Sequence, residues 1–292
     1  MHDGDIGKSV DTLSSLTEAW VRTEGKAGAK VSPSTIRSYK TGIKRLLTDL
    51  RGRELQDLKP DVAKNWVKRM QEGENGARPG TLQARLSAVR ALYSALRWIK
   101  ATSANPFEHI RVEEDVLPAW QKRQPYTSDE MVKILALDLD PADRVLVLLA
   151  GHAALRAGEC CSLDWRYVDL DRRELTVKHG NGEGQAKRRV PLGPTLIKAL
   201  QDLQVARPLL KQGLVLNMTT MTAWRRMKAI CEWAGVKPRD IESLRHYAAM
   251  RIYNRLDDIL YVAELLGLKS LDAALVYVTR DDDKLREAVA EW

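Results

Sequence analysis

Hydrophobic positions in the first third of the chain recur with the 3.6-residue period of amphipathic helices. The pattern predicts four helices: one along residues 13–20, a second with Ser34 as its N-cap, a third that opens at Pro60, and a fourth after the loop at 73–80. Their apolar stripes are Leu13, Leu16 and Trp20; Ile36, Tyr39, Ile43, Leu46, Leu47 and Leu50; Val62, Trp66, Val67 and Met70; and Leu82, Leu86, Val89, Leu92, Tyr93 and Leu96. We therefore predict a four-helix bundle.

The pattern changes after Asn105-Pro106, where we expect the bundle to end. Residues 113–127 combine charges and prolines without any period, which is typical of a linker. The predicted domains are therefore a helical domain at 1–112, a linker at 113–127, and a second domain at 128–292 that begins with a helix capped by Ser128.

The second domain is predicted to mix helices with one β-hairpin. Two short apolar strands at residues 174–177 and 189–192 flank a turn that contains Gly180, Gly182 and Gly184. Helices are predicted at about 145–155, 194–205, 219–234, 242–254, 257–267 and 271–278, followed by a terminal amphipathic helix with the stripe Leu285, Val289 and Trp292. The fold class is thus mainly α with a small β-sheet.

Positive charge is concentrated in the first domain. Residues 1–112 hold 20 Lys and Arg against 12 Asp and Glu, whereas the rest of the chain holds 27 of each. A basic segment joined to a neutral one favours binding to a polyanion, although an ordinary solvated surface would give the same count. The side chains expected to contact phosphates are Arg37, Lys40 and Lys44 on the second helix and Arg85 and Arg90 on the fourth.

Composition excludes several classes of protein. Hydrophobic residues make up 44% of the chain, so it folds, but no apolar stretch reaches the roughly eighteen residues that span a membrane. The first nine residues lack the apolar core of a signal peptide, and we expect a cytoplasmic protein. Cys160, Cys161 and Cys231 are predicted to be buried free thiols rather than disulfides or metal ligands.

Two short strings and one tyrosine carry the candidate chemistry. The first string is the run 154–159, which contains Arg156 and Glu159, and the second contains Arg245 and His246. Tyr277 follows a Leu-Leu-Gly sequence by ten residues. Each residue also has a structural interpretation: Arg156 as a helix cap, Arg245 as the partner of a nearby acid, and Tyr277 as a core aromatic.

In this order and spacing, the residues resemble the phage integrase, or tyrosine recombinase, family, and in particular its Xer-like members. The family pattern has an Arg in a Leu-Arg-x-x-Glu turn, a hairpin Lys, a His-x-x-Arg-His box, a His or Trp after Leu-Gly, and a Tyr nine residues later. Arg156 and Glu159 match the first element, Arg245 the second Arg, and Tyr277 the Tyr. The resemblance covers about residues 12–290.

The resemblance implies a SAM-like helical core-binding domain and a mixed α/β catalytic domain that close around double-stranded DNA as a C-shaped clamp. It implies a site-specific recombinase that cuts DNA through a 3′-phosphotyrosine at Tyr277, without metal or cofactor. It further implies a monomer in free solution that forms a homo-tetramer, or a hetero-tetramer with a second recombinase, on DNA. Two guanidinium forks suit the negative charge of a phosphoryl-transfer transition state.

Three positions depart from the family pattern. Glu242 stands where the first His of the box is expected, and Leu268 stands in place of the His or Trp. Asn181 occupies the usual place of the hairpin Lys, so the catalytic lysine is expected to be Lys187, with Lys178 as second choice. Because positioned acid–base help is worth about 10²–10⁴ in rate, these changes predict slow rather than absent catalysis.

Base contacts are expected from a helix in the second domain that enters the major groove. The candidates on it are Thr222, Arg225, Arg226 and Lys228. Two other functions remain open at the level of sequence. A catalytically weak relative would bind DNA without cutting it, as Glu242, Leu268 and Asn181 favour, and a type IB topoisomerase would use the same chemistry without a specific site.

Overall fold

Amphipathic helices form the first of the two units into which the chain divides, residues 1–116 and 117–292. The computed structural model describes residues 3–25, 31–72, 76–112, 124–178, 187–208, 212–277 and 290. In the first unit, the described helices are α1 (Asp3–Thr23), α2 (Pro33–Asp49), α3 (Pro60–Glu72) and α4 (Pro79–Trp98), with a 3₁₀ turn at Leu55–Asp57. The prediction of four helices is confirmed.

Helix α2 begins before the predicted cap, Ser34. The N-cap is Ser32, whose hydroxyl oxygen accepts a hydrogen bond from the backbone N–H of Thr35 at 3.1 Å. Pro33 then occupies the first helical position, where a missing N–H has no cost because that N–H has no intrahelical partner. The prediction of Ser34 was wrong because it placed this proline outside the helix.

Close contact between α2 and α4 depends on Gly42. A Cβ atom on Gly42 would lie 2.5 Å from the Cβ of Ala88, closer than real Cβ contacts allow. The missing side chain lets the two helices approach each other, and Ile43 and Val89 are fully buried on either side of the contact.

The core of the first unit extends beyond Asn105-Pro106, where the sequence pattern placed its end. Phe107, the single phenylalanine of the chain, is fully buried between the rings of Trp66 and Tyr93, with centroid distances of 5.6 and 5.5 Å. Ile110 is also part of this core. Both residues lie inside the predicted first domain, 1–112, because the chain folds back onto the bundle after the turn at Asn105-Pro106.

The second unit is a helical layer with a small sheet. Its described helices are α5 (Ser128–Ala136), α6 (Pro141–Gly151), α7 (Ala157–Ser162), α8 (Pro194–Ala206), α9 (Thr220–Trp233), α10 (Ile241–Leu256), α11 (Ile259–Leu266) and α12 (Leu271–Leu275). The strands are β1 (Val168–Asp169), β2 (Glu174–Lys178) and β3 (Lys187–Pro191). Helix α6 is buried along its length and packs against α8 and α10.

The predicted hairpin is confirmed as an antiparallel pair of β2 and β3. Leu175 pairs with Val190 and Val177 with Arg188 in its register. Strand β1 extends the sheet beside β2 and was not predicted, because two residues are too few to show an alternating pattern.

Helix α5 is capped by Thr127 rather than by the predicted Ser128. Thr127 and Glu130 form a capping box, in which each side chain accepts a bond from the other residue's backbone N–H. Tyr126, within the segment predicted to be linker, is buried, and its hydroxyl contacts Cys231.

The three cysteines, Cys160, Cys161 and Cys231, are free and buried, as predicted. Burial raises the pKa of each thiol, which makes these groups unreactive. Within the described ranges, no helix combines the length and apolar character that a membrane crossing requires. Most of the predicted linker, Asn181 and the stripe Leu285, Val289 and Trp292 lie outside the described residues.

Candidate active site

A sharp turn between α6 and α7 presents Arg156. The apolar run predicted as one helix over residues 145–155 is interrupted, because α6 ends at Gly151 and Ala154 adopts a left-handed conformation with φ of +54°. Arg156 follows in extended conformation as the N-cap of α7, and its side chain is 38% exposed. The turn thus takes the first candidate arginine out of the apolar core and exposes it to solvent.

Arg245 lies on α10 and is completely buried. Its guanidinium donates one hydrogen bond to the carbonyl of Ala154 and another, of 2.7 Å, to the carbonyl of Leu266. The Nε–H has no hydrogen-bond acceptor among the described residues. Burial, and then the positive charge of Arg156, lower the pKa of Arg245, but a guanidinium remains charged in proteins.

Glu159 connects the arginines of the site. Its carboxylate accepts two bonds from Arg188, at 2.9 and 2.8 Å, and one from the backbone N–H of Arg156 at 2.9 Å. The guanidinium groups of Arg156 and Arg245 lie farther away, at 3.4 and 3.7 Å. Burial raises the pKa of Glu159, but the bonds from Arg188 and Arg156 outweigh that effect and the net pKa is lowered.

Tyr277 lies just after α12 with its hydroxyl beside an acid. The hydroxyl donates a 3.1 Å hydrogen bond to Oε1 of Glu242, and the same oxygen is 3.7 Å from Nε of Arg245. The Tyr277 ring packs against the buried His246 with a centroid distance of 4.3 Å, and Cζ of Arg245 is 5.9 Å from the Tyr277 centroid. The structure thus brings the candidate nucleophile next to the second candidate arginine.

This arrangement is suited to chemistry at a phosphate. Arg156 is partly open to solvent and has donors that an anion can reach, whereas Arg245 is completely buried and uses two of its five N–H groups on backbone carbonyls. A phenol in hydrogen-bond contact with a carboxylate has a nearby group to take its proton.

Comparison with known proteins identifies the family of the chain. The family model described as phage integrase matches residues 125–284, which is more than half of the chain. The chain belongs to the phage integrase family. The predicted SAM-like fold in the N-terminal part of the chain is confirmed as well, since the phage integrase SAM-like domain matches residues 27–100.

Curated relatives of this phage integrase family chain include recombinases of the Xer type. Tyrosine recombinase XerC of Mycobacterium leprae is 28% identical over 282 residues, which cover 87% of this chain and 91% of the relative. Tyrosine recombinase XerC of Yersinia pestis is 28% identical and covers 86% of both chains.

Solved structures show the same fold. The Tn1549 transposon integrase in complex with transposon right end DNA has a TM-score of 0.69 at 16% identity, and the match covers 96% of this chain and 98% of the integrase. A lambda integrase dimer bound to a COC′ core site also gives 0.69, at 19% identity, and covers 93% of this chain and 95% of that one.

Two departures from the phage integrase pattern have defined places in the structure. Glu242 lies in the first turn of α10 with its carboxylate between Tyr277 and Arg245. Leu268 directly follows Gly267, which ends α11 in a left-handed conformation, and packs on the same small apolar cluster as Tyr277. Leu268 therefore contributes packing near the tyrosine but no hydrogen-bond donor.

The two candidate lysines are paired in the register of the hairpin. Lys187 is the first residue of β3, and its Cα partner in β2 is Lys178. The ammonium group of Lys178 lies 4.4 Å from the centroid of the Tyr167 ring, which engages it in a cation–π contact. Lys178 is thus occupied at the side of the hairpin, which favours Lys187.

Arg188 was missed in the sequence analysis. Its side chain is only 7% exposed and makes the paired bonds to Glu159. A signal was available, because alternate residues of a strand share a face, so Arg188 lies on the same face as the buried Val190. A cation on the buried face of a strand requires a buried acid, and Glu159 was already a candidate.

The basic residues expected to bind DNA in the first unit differ in their surroundings. Arg37 and Lys44 are exposed on α2, whereas Lys40 is exposed but pairs with Asp11 at 2.6 Å. Arg85 is half-buried and contacts the sulfur of Met70, and Arg90 donates to the backbone carbonyls of Phe107 and Ile110. The guanidinium of Arg90 therefore holds the end of the first unit's core.

The candidates on α9 divide in the same way. Arg225 and Lys228 are exposed, with Lys228 3.6 Å from Glu232, while Thr222 is bonded to the N-cap Thr219. Arg226 donates a 2.8 Å hydrogen bond to Asp143, and this bond raises the pKa of Arg226. Its main partner is therefore within the protein.

Neutralising the exposed arginine of α9 is expected to weaken DNA binding more than neutralising its neighbour. We expect Arg225→Gln to lower affinity and to reduce the slope of log affinity against log salt by about one, as the loss of one phosphate contact would. Arg226→Gln is the matched control and should mainly lower thermal stability, because it breaks the bond to Asp143. Salt titrations of a fluorescent duplex measure both, and equal salt slopes would contradict the assignment.

Proposed function

We propose that this chain is a site-specific DNA recombinase that cuts and rejoins DNA through a 3′-phosphotyrosine at Tyr277. The observation that carries the proposal is that the Tyr277 hydroxyl and the Arg245 guanidinium both lie close to one carboxylate oxygen of Glu242. Oε1 of Glu242 accepts the Tyr277 hydroxyl at 3.1 Å and lies 3.7 Å from Nε of Arg245. A nucleophile, a proton acceptor and a cation therefore lie together, and Glu159 links this cation, Arg245, to the partly exposed Arg156.

In the proposed reaction, the Tyr277 oxygen attacks the phosphorus of a DNA phosphodiester. The Tyr277–phosphorus bond forms as the bond to the 5′-oxygen breaks, which leaves a 3′-phosphotyrosine and a 5′-hydroxyl. Arg156 and Arg245 stabilise the negative charge that develops on the non-bridging oxygens, because fixed guanidinium forks suit that charge. Religation reverses the step without ATP, since the new ester keeps the energy of the broken one.

Two protons move in this scheme. Glu242 receives the proton of Tyr277, with which it already forms a hydrogen bond. Lys187, at the start of β3, donates a proton to the leaving 5′-oxygen. Catalysis is expected to be slow for two reasons. The Glu242 carboxylate adds negative charge near the phosphate, and the Leu268 side chain cannot donate a hydrogen bond to that phosphate.

Replacing Glu242 tests its role as proton acceptor. Glu242→Gln keeps the size of the side chain but removes its basicity, and we expect covalent cleavage to slow by about 10²-fold. Glu242→His should cleave at least as fast as wild type, because imidazole accepts a proton and then carries positive charge. Single-turnover cleavage measures both, and a Glu242→Gln rate equal to wild type would exclude Glu242 as the acceptor.

Double-stranded DNA is the proposed substrate, contacted by residues of both units. The proposed phosphate contacts are Arg37, Lys40, Lys44 and Arg85 in the first unit, with Arg90 supporting the fold there. The proposed contacts from α9 are Thr222, Arg225 and Lys228, whereas Arg226, bonded to Asp143, supports the fold. The proposed assembly is a monomer in solution that forms a tetramer on two DNA sites, through the chain that follows Tyr277.

Covalent trapping tests the function without requiring a defined target site. The probe is a pool of nicked duplexes with a randomised segment beside the nick, so that cleavage near the nick releases a short strand and prevents religation. We expect an adduct that survives denaturation, whose peptide mass spectrum places the DNA on Tyr277 and whose free DNA end carries a 5′-hydroxyl. An adduct on another residue would overturn the proposal.

The alternative is a DNA-binding relative without strand cleavage. The Glu242 carboxylate favours it, because at 3.7 Å it partly neutralises Arg245. That protein would shift duplexes in a salt-sensitive way but give no adduct from the pool. Relaxation of supercoiled DNA without preference for any recovered sequence would instead indicate a topoisomerase.

A further inference from the structure

Arg188 makes the closest contacts to the carboxylate at the centre of the site. Both of its terminal nitrogens donate to Glu159, at 2.9 and 2.8 Å, and the two side chains are 7% and 10% exposed. The guanidinium groups of Arg156 and Arg245 are at 3.4 and 3.7 Å from the same carboxylate. Glu159 is therefore shared unequally among three cations, and Arg188 has the largest share.

This inequality matters for phosphate binding. A carboxylate bonded tightly to Arg156 or Arg245 would neutralise charge that the transition state requires. Paired bonds in fork geometry are the strongest way for an arginine to occupy a carboxylate, and here they come from a residue on β3 rather than from either phosphate-binding candidate.

We propose that Arg188 is a positioning residue that holds the Glu159 carboxylate and thereby keeps Arg156 and Arg245 available to the DNA phosphate. The inference rests on the proposed recombinase function. Arg188 does not touch the substrate in this scheme. Its two hydrogen bonds to Glu159 keep that carboxylate from pairing more closely with Arg156 or Arg245.

The scheme predicts an uneven effect on binding and cleavage. In Arg188→Gln, Glu159 loses its main partner and pairs more closely with Arg156 and Arg245. We expect cleavage to slow by about 10- to 100-fold, within the range for removing one donor from a charge-stabilising site. Duplex affinity should stay near wild type, because most of it comes from phosphate contacts elsewhere on the protein.

Removing the charge of Glu159 distinguishes positioning from a merely structural role. Adding Glu159→Gln to Arg188→Gln removes the carboxylate that Arg156 and Arg245 would otherwise share, and the amide oxygen can still accept the backbone N–H of Arg156. We expect the double variant to recover most of the lost cleavage rate. If the buried pair only supported the fold, the double variant would cleave no faster than Arg188→Gln.

The neighbouring Arg189 provides a matched control on the same strand. Its side chain is 75% exposed, and its acidic neighbour is Glu174, at 3.9 Å. Arg189→Gln therefore removes the same charge without disturbing Glu159. Arg188→Lys keeps the positive charge beside Glu159 and should retain more cleavage than Arg188→Gln. This variant keeps the test valid should Arg188→Gln fold poorly, which thermal unfolding reports.

The measurement is single-turnover cleavage of a duplex recovered from the randomised pool, together with duplex affinity. Slow cleavage in Arg188→Gln, normal cleavage in Arg189→Gln and recovery in the double variant support the proposal. Equal rates for Arg188→Gln and Arg189→Gln, or no recovery, overturn it while leaving the recombinase function intact. Absence of any adduct from wild type is a different result and would count against the proposed function itself.

Discussion

Tyr277→Phe is expected to bind DNA as tightly as wild type and to form no covalent adduct at all. The variant removes one oxygen, which is the atom proposed to attack phosphorus. Its ring can still pack against His246, which lies at a centroid distance of 4.3 Å. The lost hydrogen bond to the Glu242 carboxylate should lower stability by about 1.5–3 kcal/mol, so binding and cleavage are compared where both proteins are folded.

The control for this variant is Tyr253→Phe. Tyr253 packs on the same small apolar cluster as Tyr277, so its replacement tests a similar loss of a hydroxyl group nearby. Adduct formation on the randomised pool, followed in denaturing gels, should be normal in Tyr253→Phe and absent in Tyr277→Phe. A normal adduct yield from Tyr277→Phe would mean that another residue is the nucleophile.

Arg245→Ala is expected to have the largest combined effect on stability and cleavage. The variant leaves the carbonyls of Ala154 and Leu266 without their donors and removes the cation that faces the carboxylates of Glu159 and Glu242. Breaking buried charge pairs costs about 3–5 kcal/mol, and we expect a loss of stability of that size. Cleavage should fall by about 10³-fold, since a transition-state donor is lost as well.

Arg255→Ala is the control, because Arg255 is exposed in the last turn of the same helix. It should change stability by less than about 0.5 kcal/mol. Arg245→Lys separates charge from shape: an ammonium group retains the charge but cannot act as a rigid fork between two carbonyls, so stability should fall between wild type and Arg245→Ala. Chemical denaturation and cleavage at a temperature where each variant is folded measure these effects. An Arg245→Ala variant as stable as the control would show that the buried contacts contribute little.

Much of the fold followed from the period of apolar residues. The helices of the first unit and the β2–β3 hairpin were predictable because each buries one regular stripe against a core. The end of α6 could not be predicted, since Ala154 is a residue that favours helix but adopts a left-handed turn whose carbonyl accepts a hydrogen bond from Arg245, 91 positions away. Local pattern carries no information about such distant hydrogen bonds.

The candidate site was predictable in part. Family order pointed to Arg156, Arg245 and Tyr277, and the structure places Arg245 beside the Tyr277 ring and leaves Arg156 partly exposed. The roles of Glu242 and Arg188 depend instead on which groups meet in space: Glu242 contacts a tyrosine 35 positions away, and Arg188 contacts an acid 29 positions away. Their charge was visible in the sequence, but their partners were not.

Phe107 has a practical consequence for dissecting this protein into fragments. The aromatic ring fills the space between Trp66 and Tyr93, and Arg90 donates to the backbone carbonyls of Phe107 and Ile110. A fragment that ends at Asn105 would expose the rings of Trp66 and Tyr93 to water and leave the Arg90 guanidinium without its carbonyl acceptors. An autonomous amino-terminal piece therefore has to include Ile110.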